Sequence, residues 1–413
     1  MPEVERTAEV VVVGGGPAGA AIATRLAAAG NEVVLFERFR EPRWRACGVY
    51  ASPRTRDRLS ALGVDDVRLA SLIRPISAMN VESVSGARCR LDYSAHGGAC
   101  GFDRVRLDRE LLDVAAAAGA IVREGAVVRS LEPSRIVARA SRLSISTESG
   151  PETWTAALVV GADGPGSMVA RAFGVLRASR RFRRAGLTLH HPDPAALPPA
   201  LPMEARMVIG RGWYCGIAPV PGERVNIGIV VAESRLRAAV ANGQGKDGVV
   251  RDVLASIPGP RQPWQDTPSS DEVAVALPLA HRVTRRSGRG FLLVGDAAGF
   301  IDPLSGEGLH RALVSAELGA EAAGVWLRGR GQPLNAATAL EAYDRRMSAR
   351  FRSKDVLSWL LQLFVEQPRL LDHTLERLAR RPQAGRTFAR VMADLVPASR
   401  ALEPGFLAAV LAP

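Results

Sequence analysis

Lysine is the residue type that this sequence most lacks. Of its 54 basic residues only two are lysines, Lys246 and Lys354, so 54 − 2 = 52 are arginines. The formal net charge is +12, but the arginines are spread along the whole chain, and clusters such as residues 180–184 are short. Nucleic-acid-binding chains concentrate their basic residues on one face or along one helix. We therefore interpret the arginines as solvated surface and expect no nucleic-acid partner. Attraction to an anionic substrate or an acidic membrane surface stays open.

Paired cysteine spacings are also missing. The chain has four cysteines, without the spacing of a zinc site or of a compact disulfide framework. Of the six histidines, His190 and His191 are adjacent and would point to opposite faces of a strand, which is poor ligand geometry. The sequence therefore predicts no metal site, and a reducing cytoplasm is the simplest location.

Three further patterns are absent. No uncharged apolar run reaches the roughly 18 residues that suggest a membrane-spanning helix. The N-terminal segment carries acids and glycines, unlike a secretory signal. The Gly-x-Ser-x-Gly turn of serine hydrolases does not occur either. These absences predict a chain without a membrane span, and its 413 residues are enough for two or three domains.

The stretch 9–22 has the pattern of a buried strand, a glycine turn and the start of a helix. Three of its glycines follow the Gly-x-Gly-x-x-Gly spacing, and their tasks are the tight turn, the approach of a pyrophosphate and close helix packing. A second strand ends at an acid, about where a ribose-binding carboxylate is expected. The dinucleotide-binding residues predicted here are Gly14, Gly16, Pro17, Ala18, Gly19 and Glu37.

A second stretch, Gly243 to Gly248, fits the same glycine spacing. The residues before it, 235–241, have a helical pattern and not the β-branched pattern of a strand. No strand end would therefore present this turn to a phosphate, and we predict a flexible loop.

The segment after Glu37 carries a family resemblance. Its Pro42-Arg43-x-x-x-Cys47-Gly48 pattern, followed by Ser52-Pro53, is similar to the geranylgeranyl-reductase branch of the FAD-dependent aromatic hydroxylase superfamily. In that branch the Cys-Gly loop lies over the flavin. The resemblance implies FAD contacts from this segment at Arg38, Arg45, Cys47 and Gly48.

Later motifs continue the resemblance. The Asp103-Arg104 pattern implies a contact with FAD phosphate or ribose, and Gly161-Ala162-Asp163-Gly164 resembles a motif near the flavin, with an ordinary Asx cap as its alternative. The Gly295-Asp296 segment resembles the ribityl-binding motif, and the turn 303–308 would bring N–H groups and a helix end to the flavin ring. The further FAD-binding residues expected from the resemblance are Arg104, Val128, Asp163, Gly295, Asp296, Pro303, Gly306, Gly308 and Leu309.

The resemblance implies an α/β fold with a Rossmann-like FAD-binding domain of the glutathione-reductase type. We place that domain at 1–75, 101–180 and 285–345, an inserted mixed β-sheet substrate domain at 76–100 and 181–284, and a helical region at 346–413. In the substrate domain, Trp213 and Tyr214 resemble an aromatic-rich strand and are catalytic candidates, with plain core as the equal alternative. Cys47 and His310 complete the catalytic candidates, with a surface or capping role as the alternative for His310.

The resemblance implies an FAD-dependent oxidoreductase with NAD(P)H as transient reductant. We favour a monooxygenase that acts on a small hydrophobic or aromatic substrate with O₂, through a flavin hydroperoxide. The second interpretation, favoured by the Cys47 loop, is reduction of C=C bonds in a prenyl or polyene substrate. Halogenation needs a lysine between flavin and substrate, and no lysine precedes Lys246. A non-enzymatic binding module is the remaining alternative.

The apolar run 356–365 could lie in the core or at a contact with another subunit or a membrane. We interpret it as core, with a second subunit or a lipid surface as open alternatives. The expected protein is a monomer or homodimer.

Overall fold

The computed structural model describes residues 5–47, 49–134, 140–178, 183–193, 201–260, 262–266, 273–277, 279–329 and 333–412. Within these residues the chain forms two large β-sheets, a two-stranded sheet of β11 and β17, and a set of helices. The strands are β1 (Glu5–Val13), β2 (Val33–Glu37), β3 (Tyr50–Ala51), β4 (Ile73–Ser83), β5 (Arg88–Asp92), β6 (Ala99–Phe102), β7 (Ile121–Glu124), β8 (Val127–Glu132), β9 (Ser141–Thr147), β10 (Gly150–Gly161), β11 (Leu176–Ala178), β12 (Arg184–Pro192), β13 (Met203–Gly210), β14 (Trp213–Val220), β15 (Arg224–Ala232), β16 (Ala274–Ala276), β17 (His281–Val283), β18 (Ser287–Gly288) and β19 (Phe291–Leu293). The helices are α1 (Pro17–Ala28), α2 (Pro53–Leu62), α3 (Asp66–Leu72), α4 (Arg104–Ala117), α5 (Met168–Ala172), α6 (Glu233–Ala241), α7 (Gly245–Ala255), α8 (Pro263–Asp266), α9 (Gly308–Arg328), α10 (Pro333–Glu366), α11 (Pro368–Arg380), α12 (Pro382–Met392) and α13 (Pro404–Leu411).

The first sheet is parallel at its centre, in the order β19-β10-β1-β2-β7. Strand β1 lies in the middle, and its Val10–Val13 run is almost fully buried because both faces are covered. Helices α1, α4 and α9 contribute to one core layer, while α5 and the β8–β9 hairpin contribute to the other. This arrangement confirms the predicted α/β class. The sequence pattern predicts a strand from Ile136 to Ser146; its first residues lie outside the described residues, and its described part is β9.

The second sheet has the order β16-β12-β15-β14-β13-β4-β6-β3, and β5 pairs with β4. Its strands are antiparallel except for the parallel pair of β4 and β13, so the sheet is mixed as predicted. It recruits β3 and β6, which reach beyond the predicted range 76–100. Tyr50 and Ala51, which follow the Cys47 loop, therefore belong to the second sheet.

The C-terminal region is helical, as predicted, but its first helix does not begin at residue 346. Helix α10 runs without interruption from Pro333 to Glu366 and packs on α9 and β18. Helices α11 and α12 then pack on β5 of the second sheet. The C-terminal helices thus contact both sheets and do not form a separate body.

The second glycine motif differs from its prediction. Helix α6 precedes it as predicted, but α7 begins within the motif, at Gly245, so the flexible-loop prediction is wrong. Burial of Val249, Val250 and Val253 on one face stabilises this helix by more than its glycines weaken it.

No described helix combines the length and apolar character that a membrane crossing requires.

Candidate functional site

The glycine turn after β1 is held by close backbone contacts. Gly14 has φ +104°, and a Cβ there would lie 2.5 Å from the carbonyl oxygen of Ala162. A Cβ on Gly19 would lie 1.8 Å from the carbonyl oxygen of Gly14. Only glycine permits both contacts, so β1, α1 and the end of β10 meet at one point. Gly19 serves this packing and does not line the cavity described below.

Gly16 is different because the space beside it is open. It has an extended conformation at the N-terminus of α1, and a Cβ there would meet Arg104 Nη2 at 3.8 Å as its nearest neighbour in the described chain. The helix end and the guanidinium both favour an anion. This open, positively charged gap fits the pyrophosphate of a dinucleotide.

Glu37 ends β2 and is buried beside the glycine turn. Its Oε2 accepts the Gly15 N–H at 2.7 Å, and its Oε1 accepts Phe39 N–H and Arg45 Nη2, each at 3.2 Å. Burial lowers the pKa of Arg45 although the Glu37 carboxylate opposes that shift. The carboxylate therefore stabilises the turn itself, and its contact with a ribose stays a prediction.

Arg104 begins α4 and is mostly buried. Its Nε donates to Asp108 Oδ1 at 2.7 Å, and its guanidinium also contacts the Cys47 thiol. Burial lowers the pKa of Arg104, but Asp108 and Cys47 outweigh burial, so the pKa lies above its ordinary value. A fixed cation thus lies between the glycine turn and the cysteine loop.

The cysteine loop places Cys47 half-buried on the cavity wall. The Val49 N–H points at the Cys47 Sγ at 3.5 Å, and Val49 has φ +44°, which is uncommon for a β-branched residue. Backbone strain of this kind concentrates at functional sites. Gly48 lies outside the described residues.

Asp163 lies just before α5 and contacts the backbone of its first turn. Its Oδ2 accepts the N–H groups of Met168 at 2.7 Å and Val169 at 3.2 Å at the start of α5. Burial raises the pKa of this carboxyl. Asp163 also lines the cavity. The N-cap of α5 is Ser167, whose Oγ accepts the Ala170 N–H at 2.9 Å, and Asp163 supports the same helix end. A flavin contact of Asp163 stays a prediction.

The second nucleotide segment begins after β19. Gly295 has φ +59°, its N–H donates to Ser315 Oγ at 2.8 Å, and a Cβ there would lie 2.6 Å from Ala18 Cβ. Asp296 follows on the cavity wall, where burial raises the pKa of its carboxyl while His281 and Arg104 oppose that shift. The two sequence motifs, almost 300 residues apart, therefore meet in space.

The turn 306–308, which we call the flavin loop, packs against a tyrosine. Gly306 has φ +66°, and a Cβ there would lie 2.6 Å from the ring of Tyr50. The Tyr50 ring lies 6.4 Å from that of Tyr93, and burial raises the pKa of both phenols. Neither tyrosine was predicted: Tyr50 lies within the cysteine-loop motif but is not one of the residues that define it, and no motif surrounds Tyr93.

Trp213 and Tyr214 point to opposite faces of β14, as adjacent strand residues do. The Tyr214 hydroxyl donates to Asp302 Oδ1 at 2.6 Å and lines the cavity. Trp213 packs in the core on the far face, against Gly210. The plain-core alternative therefore holds for Trp213, and its catalytic role stays a prediction that this placement does not favour.

His310 lies behind the flavin loop on α9, away from the cavity wall. It is buried, and Arg350 Nη2 approaches its Nε2 at 3.4 Å. Burial lowers the pKa of His310 to about 4, so the ring is neutral at pH 7. This placement does not favour the predicted catalytic role.

One cavity of about 1860 Å³ joins these groups. It exceeds the roughly 300–1,000 Å³ of ordinary small-molecule sites, so it has room for a cofactor and a substrate together. Its walls include most residues predicted to bind FAD, namely Gly14, Gly16, Pro17, Ala18, Glu37, Arg38, Arg45, Cys47, Arg104, Val128, Asp163, Gly295, Asp296, Pro303, Gly306, Gly308 and Leu309.

The other end of the cavity, which we call the apolar end, is walled by strands of the second sheet and by the C-terminal helices. Part of the run 356–365 belongs to it: Leu357 is buried, whereas Leu363 is 49% exposed. A subunit or lipid contact of this run stays a prediction. The apolar end is lined by Met79, Val81, Leu91, Met207, Leu357, Leu361, Phe364, Leu371, Leu375, Leu378, Phe388, Met392, Phe406 and Val410.

Comparison with known proteins agrees with this geometry. Residues 7–352 match the model of the FAD binding domain family, and the chain belongs to that family. It is 30% identical over 350 residues to a menaquinone reductase of Mycobacterium tuberculosis, with 77% of each chain covered. It is 27% identical over 367 residues to digeranylgeranylglycerophospholipid reductase 1 of Methanopyrus kandleri, covering 83% of this chain and 87% of that protein.

Among solved structures, a geranylgeranyl bacteriochlorophyll reductase-like protein from Thermoplasma acidophilum superposes with a TM-score of 0.75. The alignment covers 98% of each chain at 20% identity, so it shows the fold alone. Family, fold and site together define an FAD-dependent oxidoreductase. This confirms the enzyme class and the cofactor FAD that the sequence motifs predicted.

Proposed function

We propose that the chain reduces a carbon–carbon double bond in a substrate with a long apolar chain. The observation that carries this proposal is the continuity of the cavity from the flavin loop to the apolar end. A polar or compact substrate would leave that end without a complementary partner. The two sequence relatives named above are reductases, and the name of one describes an isoprenoid lipid as its substrate. We also propose the glutathione-reductase type for the FAD-binding domain and NAD(P)H as the reductant.

The residues present fit FAD at the other end. The open gap at Gly16, the Arg104 cation and the glycines of the flavin loop match a pyrophosphate and a ring that lie against the backbone. FAD supplies hydride transfer when it is bound. The apolar end binds the chain of the substrate and excludes water, and Tyr50 and Tyr214 border the space between the two ends.

Cys47 holds the proton that the reaction needs. Reduction of a double bond adds a hydride to one carbon and a proton to the other, and Cys47 lies on the wall of the cavity that the cofactor residues and the apolar end share. The Arg104 guanidinium contacts this sulfur and would stabilise the thiolate left after transfer. Solvent then returns the proton.

The test is product analysis under two atmospheres. Purified holoenzyme with NADPH or NADH and a polyprenyl substrate should give, without oxygen, a product heavier by one H₂. Cys47→Ala should lower this turnover at least roughly 100-fold while FAD stays bound, because positioned acids contribute about 10²–10⁴-fold. Cys89→Ala is the matched control, since that buried thiol does not line the cavity.

A product that contains oxygen, formed only in air, would contradict the proposal. It would favour the monooxygenase interpretation drawn from the sequence, which stays a prediction until this experiment. Full turnover by the Cys47→Ala enzyme would still be consistent with the proposed reduction, but it would show that another group donates the proton.

A further inference from the structure

The flavin loop faces the cavity on one side and a buried charge cluster on the other. We call this group the lysine cluster, and it consists of Lys354 on α10, Glu307 in the loop, Arg311 on α9 and Asp394 after α12. Lys354, Glu307 and Asp394 side chains are each less than 10% exposed. The cluster joins two elements of the FAD-binding region to the C-terminal helices.

Lys354 is the centre of the cluster. Its ammonium donates to Asp394 Oδ1 at 2.8 Å and to the carbonyl oxygen of Val391 at 2.9 Å, and it lies 3.6 Å from Glu307 Oε2. Arg311 Nη1 lies 3.8 Å from Glu307 Oε1. Two buried carboxylates from distant parts of the chain thus share one ammonium group.

The identity of this residue is informative in a chain with 54 basic residues and only two lysines. An ammonium is compact and makes single-point contacts, whereas a guanidinium is a planar fork that suits bidentate partners. The partners here are one carbonyl oxygen and one oxygen from each of two carboxylates. The geometry of these single-point contacts therefore favours lysine, although lysine is rare in this chain.

Asp394 adds a second unusual feature. Its backbone has φ +58°, a left-handed conformation that few residues other than glycine adopt. Its carboxylate also contacts Ser52, at the start of α2 and shortly after the cysteine loop. The turn at Asp394 therefore reaches both segments that border the flavin ring site. Lys354 and Asp394 lie beyond residue 352, where the family match ends.

We infer that Lys354 is a positioning residue that holds the flavin loop, through Glu307 and Asp394, in the conformation that binds FAD. Without the ammonium, the Glu307 and Asp394 carboxylates would repel one another in a buried space. The loop that carries Gly306 and Gly308 would then move away from the flavin ring. The inference concerns FAD binding and does not depend on the reaction proposed above.

The test measures FAD affinity of the whole chain by titrating apoprotein with FAD. Lys354→Met should raise the Kd at least about tenfold, the equivalent of roughly 1.4 kcal/mol. Arg352→Met is the matched control, because it removes a cation from an exposed position of the same helix. Its Kd should stay within about twofold of the wild-type value. Thermal unfolding of both apoproteins reports the purely structural effect.

A double variant covers the outcome in which Lys354→Met does not fold. Lys354→Met with Asp394→Asn removes the Asp394 charge together with the ammonium, and asparagine tolerates the left-handed backbone. This protein should fold, yet its FAD Kd should still be raised at least about fivefold, because Glu307 has lost the ammonium and keeps only Arg311, at 3.8 Å. A folded single or double variant with wild-type FAD affinity would overturn the inference, even if its melting temperature were lower.

Discussion

The two ends of the cavity are built in opposite ways. The core of the nucleotide end is a local unit, since Gly14, Gly16 and Glu37 belong to one strand–turn–helix–strand segment, which Arg104 and Gly295 join from other parts of the chain. The apolar end is made by residues from β4, β5, β13 and the helices α10 to α13, which are remote in sequence. A local unit carries its own backbone constraints, whereas an assembled wall depends on how whole elements pack. Substitutions at the nucleotide end should therefore change stability and FAD affinity, whereas substitutions at the apolar end should change substrate preference.

The largest effect is expected at Gly19. Gly19→Ala puts a Cβ 1.8 Å from the Gly14 carbonyl oxygen, and rigid backbone cannot move aside. We expect a loss of more than about 3 kcal/mol in the free energy of unfolding, together with loss of FAD. Denaturant unfolding of the apoprotein measures the first and flavin absorbance the second. A stable apoprotein would show that the strand–helix contact is looser than these distances imply.

Gly16→Ala separates binding from folding at the same end. The position has an extended φ and open space, so the apoprotein should lose less than about 1 kcal/mol of stability. The added methyl occupies the gap proposed for the pyrophosphate, and FAD affinity should fall roughly 100-fold, the equivalent of about 2.7 kcal/mol. Titration of apoprotein with FAD measures the affinity. Unchanged affinity would place the pyrophosphate elsewhere.

The same contrast explains what the sequence could and could not predict. Glycine spacing reports backbone geometry, so the turn at Gly14 was predicted from the sequence pattern itself, whereas the loop at Gly306 was predicted from a family resemblance. The alternation of side chains along β14 indicates that Trp213 and Tyr214 face opposite sides of the sheet. It does not indicate which of the two sides faces the cavity. The pair of Tyr214 and Asp302 joins residues 88 positions apart. No local pattern encodes such a meeting.

Lys354 shows how little a compositional signal can predict about a buried site. Its rarity in an arginine-rich chain marks the position, yet rarity alone does not name Glu307 or Asp394 as partners. The predicted boundary at residue 346 also separated it from the flavin loop, because the continuity of α10 is a property of the packed helix. The arrangement of such buried charges follows from tertiary structure.

His310 lies behind the flavin loop, and a substitution there tests whether this buried residue is catalytic or structural. Its folded pKa of about 4 lies below the unfolded value of 6.5, so the unfolded state binds the proton first as pH falls. This group therefore costs stability progressively from pH 6.5 down to 4, by about 2 kcal/mol at pH 5. Asp394, Arg58, Arg350 and Lys354 are the charged groups that act on it.

His310→Gln removes that titration. Relative to wild type, the variant should lose about 2 kcal/mol less of its unfolding free energy between pH 7 and pH 5. Its turnover at pH 7.5 should stay within about threefold, because the ring does not line the cavity. A loss of turnover without a change in the acid dependence of stability would return His310 to the catalytic candidates.

The smallest effect is expected at the apolar end, where a larger side chain should change which substrate is preferred and leave the catalysed reaction unchanged. Leu375 on α11 lines the apolar end, and Leu375→Trp should shorten the space for a chain. Preference for geranylgeranyl over geranyl substrates, measured as a ratio of kcat/KM, should fall roughly tenfold, or about 1.4 kcal/mol. Ala379→Trp adds the same ring on the exposed side of α11 and should leave the ratio unchanged. If both variants keep the wild-type ratio, the substrate chain does not extend among the C-terminal helices. The apolar end would then have no role in substrate selection, and its contrast with the nucleotide end would be structural only.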